Sequence, residues 1–214
     1  MPFKQTKPTI LHLIRHGESK ANRHGIYQGQ SYDVGLTAKG KRQSQSVAET
    51  LKVIHFKALY TSPLRRCVET AEIIAQATKG QLIHDPSLLE INHGTWEGKT
   101  TQEFNKKEQA MLREWRRNPV GVQMQGGENI AAVVRRCRAF VKSLSPGEYI
   151  VVTHDLVIRV IITLAIHHQM RFLWKYTLEN CGITTVSFNP YRLIGLNQHF
   201  HLNGMQSKLS RQAL

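Results

Sequence analysis

The stretch "TILHLIRHGESKAN", residues 9–22, joins a short apolar run to a cluster of charged side chains. Residues 9–15 have the length and the branched apolar side chains of a buried β-strand. Arg15, His16 and Glu18 follow where that strand should end. In open α/β sheets, ligands bind beyond the carboxyl ends of the strands. The pattern therefore predicts a strand that carries part of a functional site at its end.

The rest of the chain alternates short apolar runs with amphipathic helices. Thr37 suits the N-cap of the first long helix, and Pro63 suits the first turn of the second. The predicted strands are residues 9–15, 58–62, 81–88, 148–154, 182–189 and 192–200, and the predicted helices are residues 36–52, 63–78, 100–119, 126–144 and 155–168. This alternation indicates the α/β class, as a three-layer α/β/α sandwich around a mostly parallel central sheet, closed by an antiparallel pair.

The length of 214 residues and the 41% hydrophobic content are typical of one compact domain, so we expect a single domain over residues 1–214. The segment from about residue 97 to about residue 126 is polar and contains a helical pattern, which predicts a helical insertion over the site. Residues of about 205–214 are polar, and we expect a loose tail there.

The cysteines indicate the compartment. Cys67, Cys137 and Cys181 are far apart and odd in number, which argues against a disulfide framework and favours a reducing environment. The N-terminal residues lack the apolar core of a signal peptide, and no run approaches the roughly 20 apolar residues that cross a bilayer. We therefore expect a cytoplasmic protein that does not associate with a membrane.

The charge is strongly positive. The chain has 29 Lys and Arg against 15 Asp and Glu, a formal net charge of +14. Such a charge attracts anions, including nucleic acid, anionic membranes and phosphorylated metabolites. The basic residues are dispersed, with no zinc-finger or RNA-binding motif among them. Most should lie on solvated helix faces, and no specific nucleic-acid binding is predicted.

Chemically active side chains follow several of the predicted strands. They are Arg15 and His16 after the first strand, Arg65 after the second, Glu90 after the third and His154 at the end of the fourth. The carboxyl ends of parallel strands should bring them together. Guanidinium groups bind phosphate oxygens, a neutral imidazole can attack phosphorus, and a carboxylic acid can protonate a departing alkoxide. The set predicts phosphoryl transfer.

Five dispersed motifs carry a family resemblance. "LIRHGES", "TSPLRRCVETA", "LLEINHGTWEG", "GGEN" and "VVTHDLVIR" occur in the order seen in the histidine phosphatase superfamily. The chain resembles its phosphoglycerate mutase-like branch from residue 10 to at least residue 158. The resemblance implies that His16 is the nucleophile and forms a phosphohistidine, and that Glu90 is the proton donor and later the base. It places around the phosphate Arg15, Asn22, Gln28, the backbone N–H of Gly29, Arg65 and His154.

His93 lies in a segment where many relatives carry an aromatic residue. The relatives with histidine there include metal-independent phosphoserine phosphatases, which the chain also resembles in the closing pair His201 and Leu202. The resemblance makes His93 a candidate substrate-binding residue, with a structural role as the alternative. Trp96 is expected to be a core residue. No cofactor is implied. No metal site is predicted, because the eleven histidines show no ligand spacing.

Neighbouring arginines compete for one place in the site. Arg65 and Arg66 cannot both face one pocket from a helix, and the motif position favours Arg65, which leaves Arg66 at the surface. Three carboxylates lie near the motifs. Glu18 is expected to be structural. Glu97 and Glu128 either rim the pocket or lie in solvent, and of these two positions we expect the solvated one.

Asp155 stands where relatives commonly have glycine. We expect it to cap the helix that begins at Leu156. If it points inward instead, it would repel phosphate or pair with an amino or hydroxyl group of the substrate.

The segment after Glu90 is shorter than the inserted segments of the mutases, which favours hydrolysis of a small phosphomonoester over mutase transfer. Phosphoserine, a sugar or sugar-acid phosphate, a cobalamin nucleotide-loop precursor or a broad range of esters are all candidate substrates. Phosphoglycerate mutase activity is the alternative, and a non-catalytic module that binds anions or nucleic acid is the alternative of another class. Because relatives are often dimers, a homodimer is possible.

Overall fold

The computed structural model describes residues 7–166 and 168–208. Its strands are β1 (Thr9–Arg15), β2 (Ala58–Thr61), β3 (Leu82–His84), β4 (Gly147–Thr153), β5 (Ile183–Phe188) and β6 (Arg192–Gln198). They form a six-stranded sheet in the order β3-β2-β4-β1-β5-β6. The first four strands in this order are parallel, and β5 and β6 are antiparallel to their neighbours. The predicted mostly parallel sheet and its antiparallel closing pair are confirmed.

The central strands β1 and β4 lie side by side and end level with each other, with Arg15 opposite Thr153. Both are central because both of their faces are apolar, as in parallel strands that are covered on two sides. Leu13 contributes to one hydrophobic core and Ile14 to the other, as the two-residue period of a strand requires. Residues that follow these two strands therefore emerge next to each other.

The helices are α1 (Lys20–His24), α2 (Ala38–Leu51), α3 (Arg65–Thr78), α4 (Lys106–Arg117), α5 (Ile130–Ser143) and α6 (Asp155–Ala165). Thr37 is the N-cap of α2 as predicted, and its hydroxyl accepts the Gly40 N–H at 2.9 Å. The short helix α1 was not predicted, because five residues are too few to show an apolar period. It is stabilised instead by a capping box between Ser19 and Asn22.

Helices cover both faces of the sheet. One core contains α2 and α3 residues such as Val47, Leu51 and Ile74 packed on Ile150 of β4. The other core contains residues of α4, α5 and α6 and includes Val151 of β4. Each fully buried aliphatic side chain in these cores contributes about 1.5–3 kcal/mol. The three-layer sandwich predicted from the sequence is confirmed.

The polar segment of residues 97–126 forms a 3-10 turn, α4 and a second 3-10 turn at Pro119–Gly121. Leu112 and Trp115 are the apolar residues that α4 buries, and they join the core beneath α5 and α6. Trp115 also reaches the ring of His93, with centroids 6.1 Å apart. This segment therefore packs against His93, the candidate substrate-binding residue.

The expectation of a loose tail is wrong for its first residues. The Ser207 hydroxyl donates to Glu18 at 3.1 Å, and the Ser207 N–H donates to Glu179 at 3.1 Å. The Gln43 amide donates to the Met205 carbonyl at 2.7 Å. Polar side chains bind this segment, which its polar composition could not reveal. Residues 209–214 of the predicted tail lie outside the described residues, as does His167 of the helix predicted over 155–168.

Within residues 7–166 and 168–208, the helices are all too short or too polar to cross a membrane.

Candidate active site

The level ends of β1 and β4 bring the two predicted imidazoles together. His16 follows β1 and His154 follows β4, and their ring centroids are 5.3 Å apart in an edge-to-face arrangement. The adjacent strand β2 adds Ser62, whose hydroxyl lies 2.8 Å from the Nε2 of His154. Parallel pairing alone therefore accounts for this half of the site.

The Nδ1 of His16 lies 2.8 Å from the carbonyl oxygen of Gly17. Because a carbonyl only accepts, Nδ1 carries the proton and Nε2 carries the lone pair. Burial, and then the charges of Arg66 and Arg15, hold the pKa of His16 well below its usual value. His16 is therefore a neutral imidazole with a nucleophilic Nε2, held in one tautomer.

His154 is completely buried. Burial, followed by the charge of Arg66 and the neighbouring His16, holds the pKa of His154 well below its usual value. Besides the Ser62 hydroxyl, the Cys67 Sγ approaches Nε2 to 3.4 Å. His154 is thus a second neutral imidazole, fixed by contacts from Ser62, which follows β2, and from Cys67 of α3.

Arg15 is 2% exposed at the end of β1. Its Nη1 donates to the Leu178 carbonyl at 2.7 Å and lies 3.8 Å from the Oδ1 of Asp155. Its charge lowers the pKa of both His16 and His154. Its role in binding phosphate stays a prediction.

The choice of Arg65 over Arg66 is wrong. The Arg65 side chain is 66% exposed and its Nε donates to Glu69 at 2.7 Å, one turn along α3. The Arg66 side chain is 1% exposed, and its Nη2 donates to the Gly29 carbonyl at 2.8 Å. Arg66, not Arg65, is the guanidinium beside His16 and His154.

The physical reason is the phase of α3. Consecutive residues lie about 100° apart around a helix, and the buried side of α3 begins with Arg66 and Cys67, which leaves Arg65 facing outwards. Thr70 and Ile74 are buried, and they lie four and eight residues after Arg66. The sequence contained this signal, because the buried stripe of small and apolar residues in "RRCVETAEII" is in phase with Arg66.

Asn22 and Gln28 are both nine-tenths or more buried. The Ser19 hydroxyl lies 3.0 Å from the Asn22 amide oxygen and 2.8 Å from that of Gln28. Both oxygens thus turn towards Ser19, and among the described residues neither NH₂ group makes a hydrogen bond. Such donors suit an anion, as the resemblance implies for these two side chains.

Gly29 has a left-handed backbone with φ of 52°. A Cβ atom at this position would lie 1.7 Å from the Oε1 of Glu97, so only glycine fits here. The direction of its N–H towards a phosphate stays a prediction, whereas its carbonyl accepts from Arg66.

Glu90 follows the 3-10 turn Pro86–Leu88 and is partly buried. Burial raises the pKa of Glu90 to about 7; the charge of Asp155 adds to the rise, and the Ile91 N–H and Arg66 oppose it. Its backbone carbonyl accepts from Gln30 at 2.7 Å. A carboxyl with this pKa can exist in both protonation states near neutral pH, as an acid and base in turn must.

His93 is 8% exposed in an aromatic cluster. Its ring stacks on Trp96 at 6.1 Å and meets Tyr27 edge-on at 5.1 Å. Burial lowers the pKa of His93 to about 4, so the ring is neutral at neutral pH. Its Nδ1 makes no hydrogen bond within the described residues. Trp96 is completely buried, as predicted for a core residue.

The expectation that Glu97 and Glu128 are solvated is wrong. Glu97 accepts the N–H of Gln30 at 3.0 Å and that of His93 at 2.8 Å. Glu128 accepts the Asn92 N–H at 3.0 Å and pairs with Arg136 at 3.3 Å. Both carboxylates bind backbone of segments distant in sequence, which no local pattern shows. The expected structural role of Glu18 agrees with its bonds, from Thr37 at 2.9 Å among others.

The expectation that Asp155 caps α6 is also wrong. His154 occupies the N-cap, and Asp155 is the first helical residue, 4% exposed. Its carboxylate lies 2.5 Å from Nε and 3.2 Å from Nη2 of Arg159. The Arg159 Nη1 donates in turn to the Leu173 carbonyl at 2.9 Å. Asp155 thus points inward beside Arg15, and Arg159 offsets its negative charge.

In the part of the chain that the structure describes, no group of three or more His, Cys, Asp or Glu side chains is placed to hold a metal ion. Fold and site together define a class of protein, an enzyme of phosphoryl transfer with a histidine nucleophile.

Comparisons with known proteins agree with this class. A profile of the histidine phosphatase superfamily, branch 1, matches residues 11–197. Phosphoserine phosphatase 1 of Hydrogenobacter thermophilus is 31% identical over 198 residues, which cover 90% of this chain and 93% of the relative. A probable phosphoglycerate mutase GpmB of Proteus mirabilis is 32% identical over 83% of this chain and 84% of its own.

Solved structures show the same likeness. Bacillus stearothermophilus YhfR superposes with a TM-score of 0.84 at 28% identity, over 91% of this chain and 99% of its own. A mutant phosphoserine phosphatase of Entamoeba histolytica in complex with phosphoserine superposes with a TM-score of 0.76 at 31% identity, over 91% and 99% of the two chains. The chain belongs to branch 1 of the histidine phosphatase superfamily.

Proposed function

We propose that this histidine phosphatase hydrolyses a small phosphomonoester without a metal ion, through a phosphohistidine on His16, and that phosphoserine is its leading substrate. The observation that carries the proposal is the state of His16, a neutral imidazole with Nδ1 bonded to Gly17 and Nε2 free to attack. Arg15 and Arg66 flank it, and Glu90 supplies an acid with a pKa of about 7.

In the first half-reaction the guanidinium groups of Arg15 and Arg66 neutralise the phosphate dianion, with the amides of Asn22 and Gln28 as further donors. The Nε2 lone pair of His16 forms a bond to phosphorus as the bond from phosphorus to the ester oxygen breaks. Protonated Glu90 gives its proton to that oxygen, and the alcohol leaves.

In the second half-reaction the ionised Glu90 takes a proton from a water molecule. The water oxygen forms a bond to phosphorus, and the phosphorus–nitrogen bond breaks. Inorganic phosphate leaves, and His16 and Glu90 return to their first states. Fixed positive charge stabilises the transferring group in both steps, which is where such enzymes gain most of their rate.

The His93 cluster and the relatives support phosphoserine. His93 is a neutral, buried imidazole that packs against Tyr27, Trp96 and Trp115, and its Nδ1 is unbonded within the described residues. The relative at 31% identity and the structure with phosphoserine bound both carry the name phosphoserine phosphatase. A phosphorylated sugar acid is the next candidate, since another relative is a probable 2-carboxy-D-arabinitol-1-phosphatase of Arabidopsis thaliana at 29% identity.

Mutase activity is a second candidate because of the GpmB relatives. A mutase must keep water from the phosphohistidine until a sugar acid accepts the phosphoryl group. Incubation with 3-phosphoglycerate and a catalytic amount of the bisphosphate separates the two activities. Isomer without free phosphate would indicate the mutase, and free phosphate indicates the hydrolase.

The main experiment measures phosphate release from a panel of phosphomonoesters with a chelator present. We expect chelator-resistant turnover in the wild type and a loss of about 10³-fold or more in His16→Ala. His55→Ala, which removes an exposed histidine outside the site, is the matched control and should keep full activity. Turnover that survives in His16→Ala would rule out the nucleophile. Absence of turnover in the wild type, with salt-dependent retention on DNA, would support the non-catalytic module.

A further inference from the structure

Two segments far apart in the chain border the candidate active site. Residues 28–31, the phosphate loop, include Gln28 and Gly29. Residues 90–97, the acid segment, include Glu90 and His93. Neither segment belongs to the sheet, so the sheet cannot set the distance between them.

One carboxylate binds both segments. The Oε1 of Glu97 accepts the N–H of Gln30 at 3.0 Å and the N–H of His93 at 2.8 Å. The Oε2 accepts the N–H of Ser31 at 2.6 Å and also the Ser31 hydroxyl. Charge-assisted hydrogen bonds of this kind are shorter and stronger than neutral ones. Glu97 thus joins the phosphate loop to the acid segment through four donors.

The link continues from Glu97 to the phosphate-binding arginine. Gly29 lies against the carboxylate so closely that a Cβ would overlap Oε1 at 1.7 Å. The Gly29 carbonyl in turn accepts from Nη2 of Arg66 at 2.8 Å. A movement of the Glu97 carboxylate would therefore shift the backbone that aligns Arg66. On the other side it would shift the backbone of His93.

The charge state of Glu97 suits this role. Burial alone would raise the pKa of Glu97, but the hydrogen bonds from Ser31, Gln30 and His93 outweigh it and hold the pKa below its usual value. The carboxylate is therefore ionised at neutral pH and accepts all four donors. An amide in its place has one accepting oxygen, and its NH₂ group would face an N–H.

We propose that Glu97 is a positioning residue that aligns Arg66 and His93 together. Arg66 binds the phosphate and His93 contacts the rest of the substrate, so one carboxylate couples the recognition of these two parts. The inference rests on the proposed function for the roles of Arg66 and His93. It adds a residue to that function which makes no contact with the reacting atoms.

The test compares Glu97→Gln with the matched control Glu103→Gln. Glu103 also accepts a backbone N–H and a hydroxyl, both from Thr100 at 2.8 Å, but it is exposed and outside the site. Binding of inorganic phosphate is measured by calorimetry. The values of kcat and KM are measured with L-phosphoserine and with p-nitrophenyl phosphate, which lacks the amino-acid group.

In Glu97→Gln we expect inorganic phosphate to bind about tenfold more weakly or worse, because one amide cannot replace a carboxylate that accepts four donors. The kcat/KM for L-phosphoserine should fall further than that for p-nitrophenyl phosphate. L-phosphoserine loses the alignment of Arg66 with its phosphate and of His93 with its amino-acid group, whereas p-nitrophenyl phosphate loses only the first. Glu103→Gln should match the wild type in all three measurements. A purely structural role would lower the melting temperature without changing the ratio between the two substrates.

Ser31→Ala keeps the carboxylate of Glu97 and removes one of its donors. It is the second test of the proposal and replaces Glu97→Gln if that variant does not fold. We expect it to weaken phosphate binding by about twofold to fivefold. Unchanged phosphate affinity and substrate ratio in the folded variants would overturn the proposal. Phosphate binding is measured without turnover, so a failure of phosphoserine as substrate would leave this result interpretable.

Discussion

Replacing each of the two adjacent arginines of α3 by glutamine, in separate variants, gives the sharpest test of the site. Arg66→Gln removes a guanidinium that is 1% exposed, whereas Arg65→Gln removes one that is 66% exposed. Loss of a preorganised donor to the reacting group costs about 3–4 kcal/mol of transition-state stabilisation, or about 10²–10³-fold in rate. We therefore expect that loss in kcat/KM for Arg66→Gln. Arg65→Gln should change it by about twofold at most, because the Arg65 side chain is mostly exposed and pairs with Glu69 of its own helix.

A second measurement separates this loss from general damage to the fold. Protonated Glu90 is needed in the first half-reaction, so activity should fall as the pH rises through its pKa of about 7. The charge of Arg66 lowers that pKa, so Arg66→Gln should move the fall in activity to higher pH. Initial rates with p-nitrophenyl phosphate across the pH range give both the loss in kcat/KM and the pH at which activity falls. Equal losses in the two variants, or an unshifted pH profile in a folded Arg66→Gln, would refute the reasoning.

Two further predictions concern the carboxyl groups of Glu90 and Asp155. Glu90→Gln should reduce turnover about 10²–10⁴-fold and remove the fall in activity near pH 7, because the variant has no proton to donate. The pKa of Glu90 is raised from 4.5 to about 7 in the folded protein, so the wild type loses stability as the pH rises from 4.5 to 7. Glu90→Gln has no such loss. Above pH 7 we therefore expect this variant to be more stable than the wild type by about 3 kcal/mol. Urea unfolding at pH 4.5 and pH 8 checks this, and an equal difference at both pH values would contradict it. Asp155→Ala should cost about 3 kcal/mol in urea unfolding, because it leaves the buried guanidinium of Arg159 without its partner. Asp155→Ala with Arg159→Met should cost less than Asp155→Ala alone, and a larger cost in the double variant would count against the charge explanation.

Local pattern was enough to identify the strands and most of the chemistry. The apolar run of β1 has the length and the branched apolar side chains of a buried strand, and β1 spans the predicted residues 9–15. His16 and His154 follow two such runs, and parallel pairing places the ends of neighbouring strands at one edge of the sheet. These predictions succeeded because short-range order depends on residues that are close in sequence. The carboxyl ends of parallel strands meet at one edge of the sheet even where, as for β1 and β4, the strands are far apart in the chain.

The direction in which a side chain points was decided by tertiary packing. Arg65 and Arg66 are chemically identical and adjacent, and the buried phase of α3 against the sheet selects Arg66. Asp155 faces Arg159 and Arg15 because His154 already occupies the extended N-cap position. Each choice depends on which face of a helix meets the core.

Long-range partners were also decided by the folded structure alone. Glu97 reads in sequence as one more polar residue of a loop, yet it accepts hydrogen bonds from residues 30 and 31 as well as from its own segment. Ser207 reads as part of a loose tail, yet it donates to Glu18 across 189 positions. A carboxylate can accept from any donor that folding brings to it, so nothing in its neighbouring sequence names the partner. The sequence by itself determined which chemical groups are available at the ends of the strands, and the tertiary structure decided which of them meet.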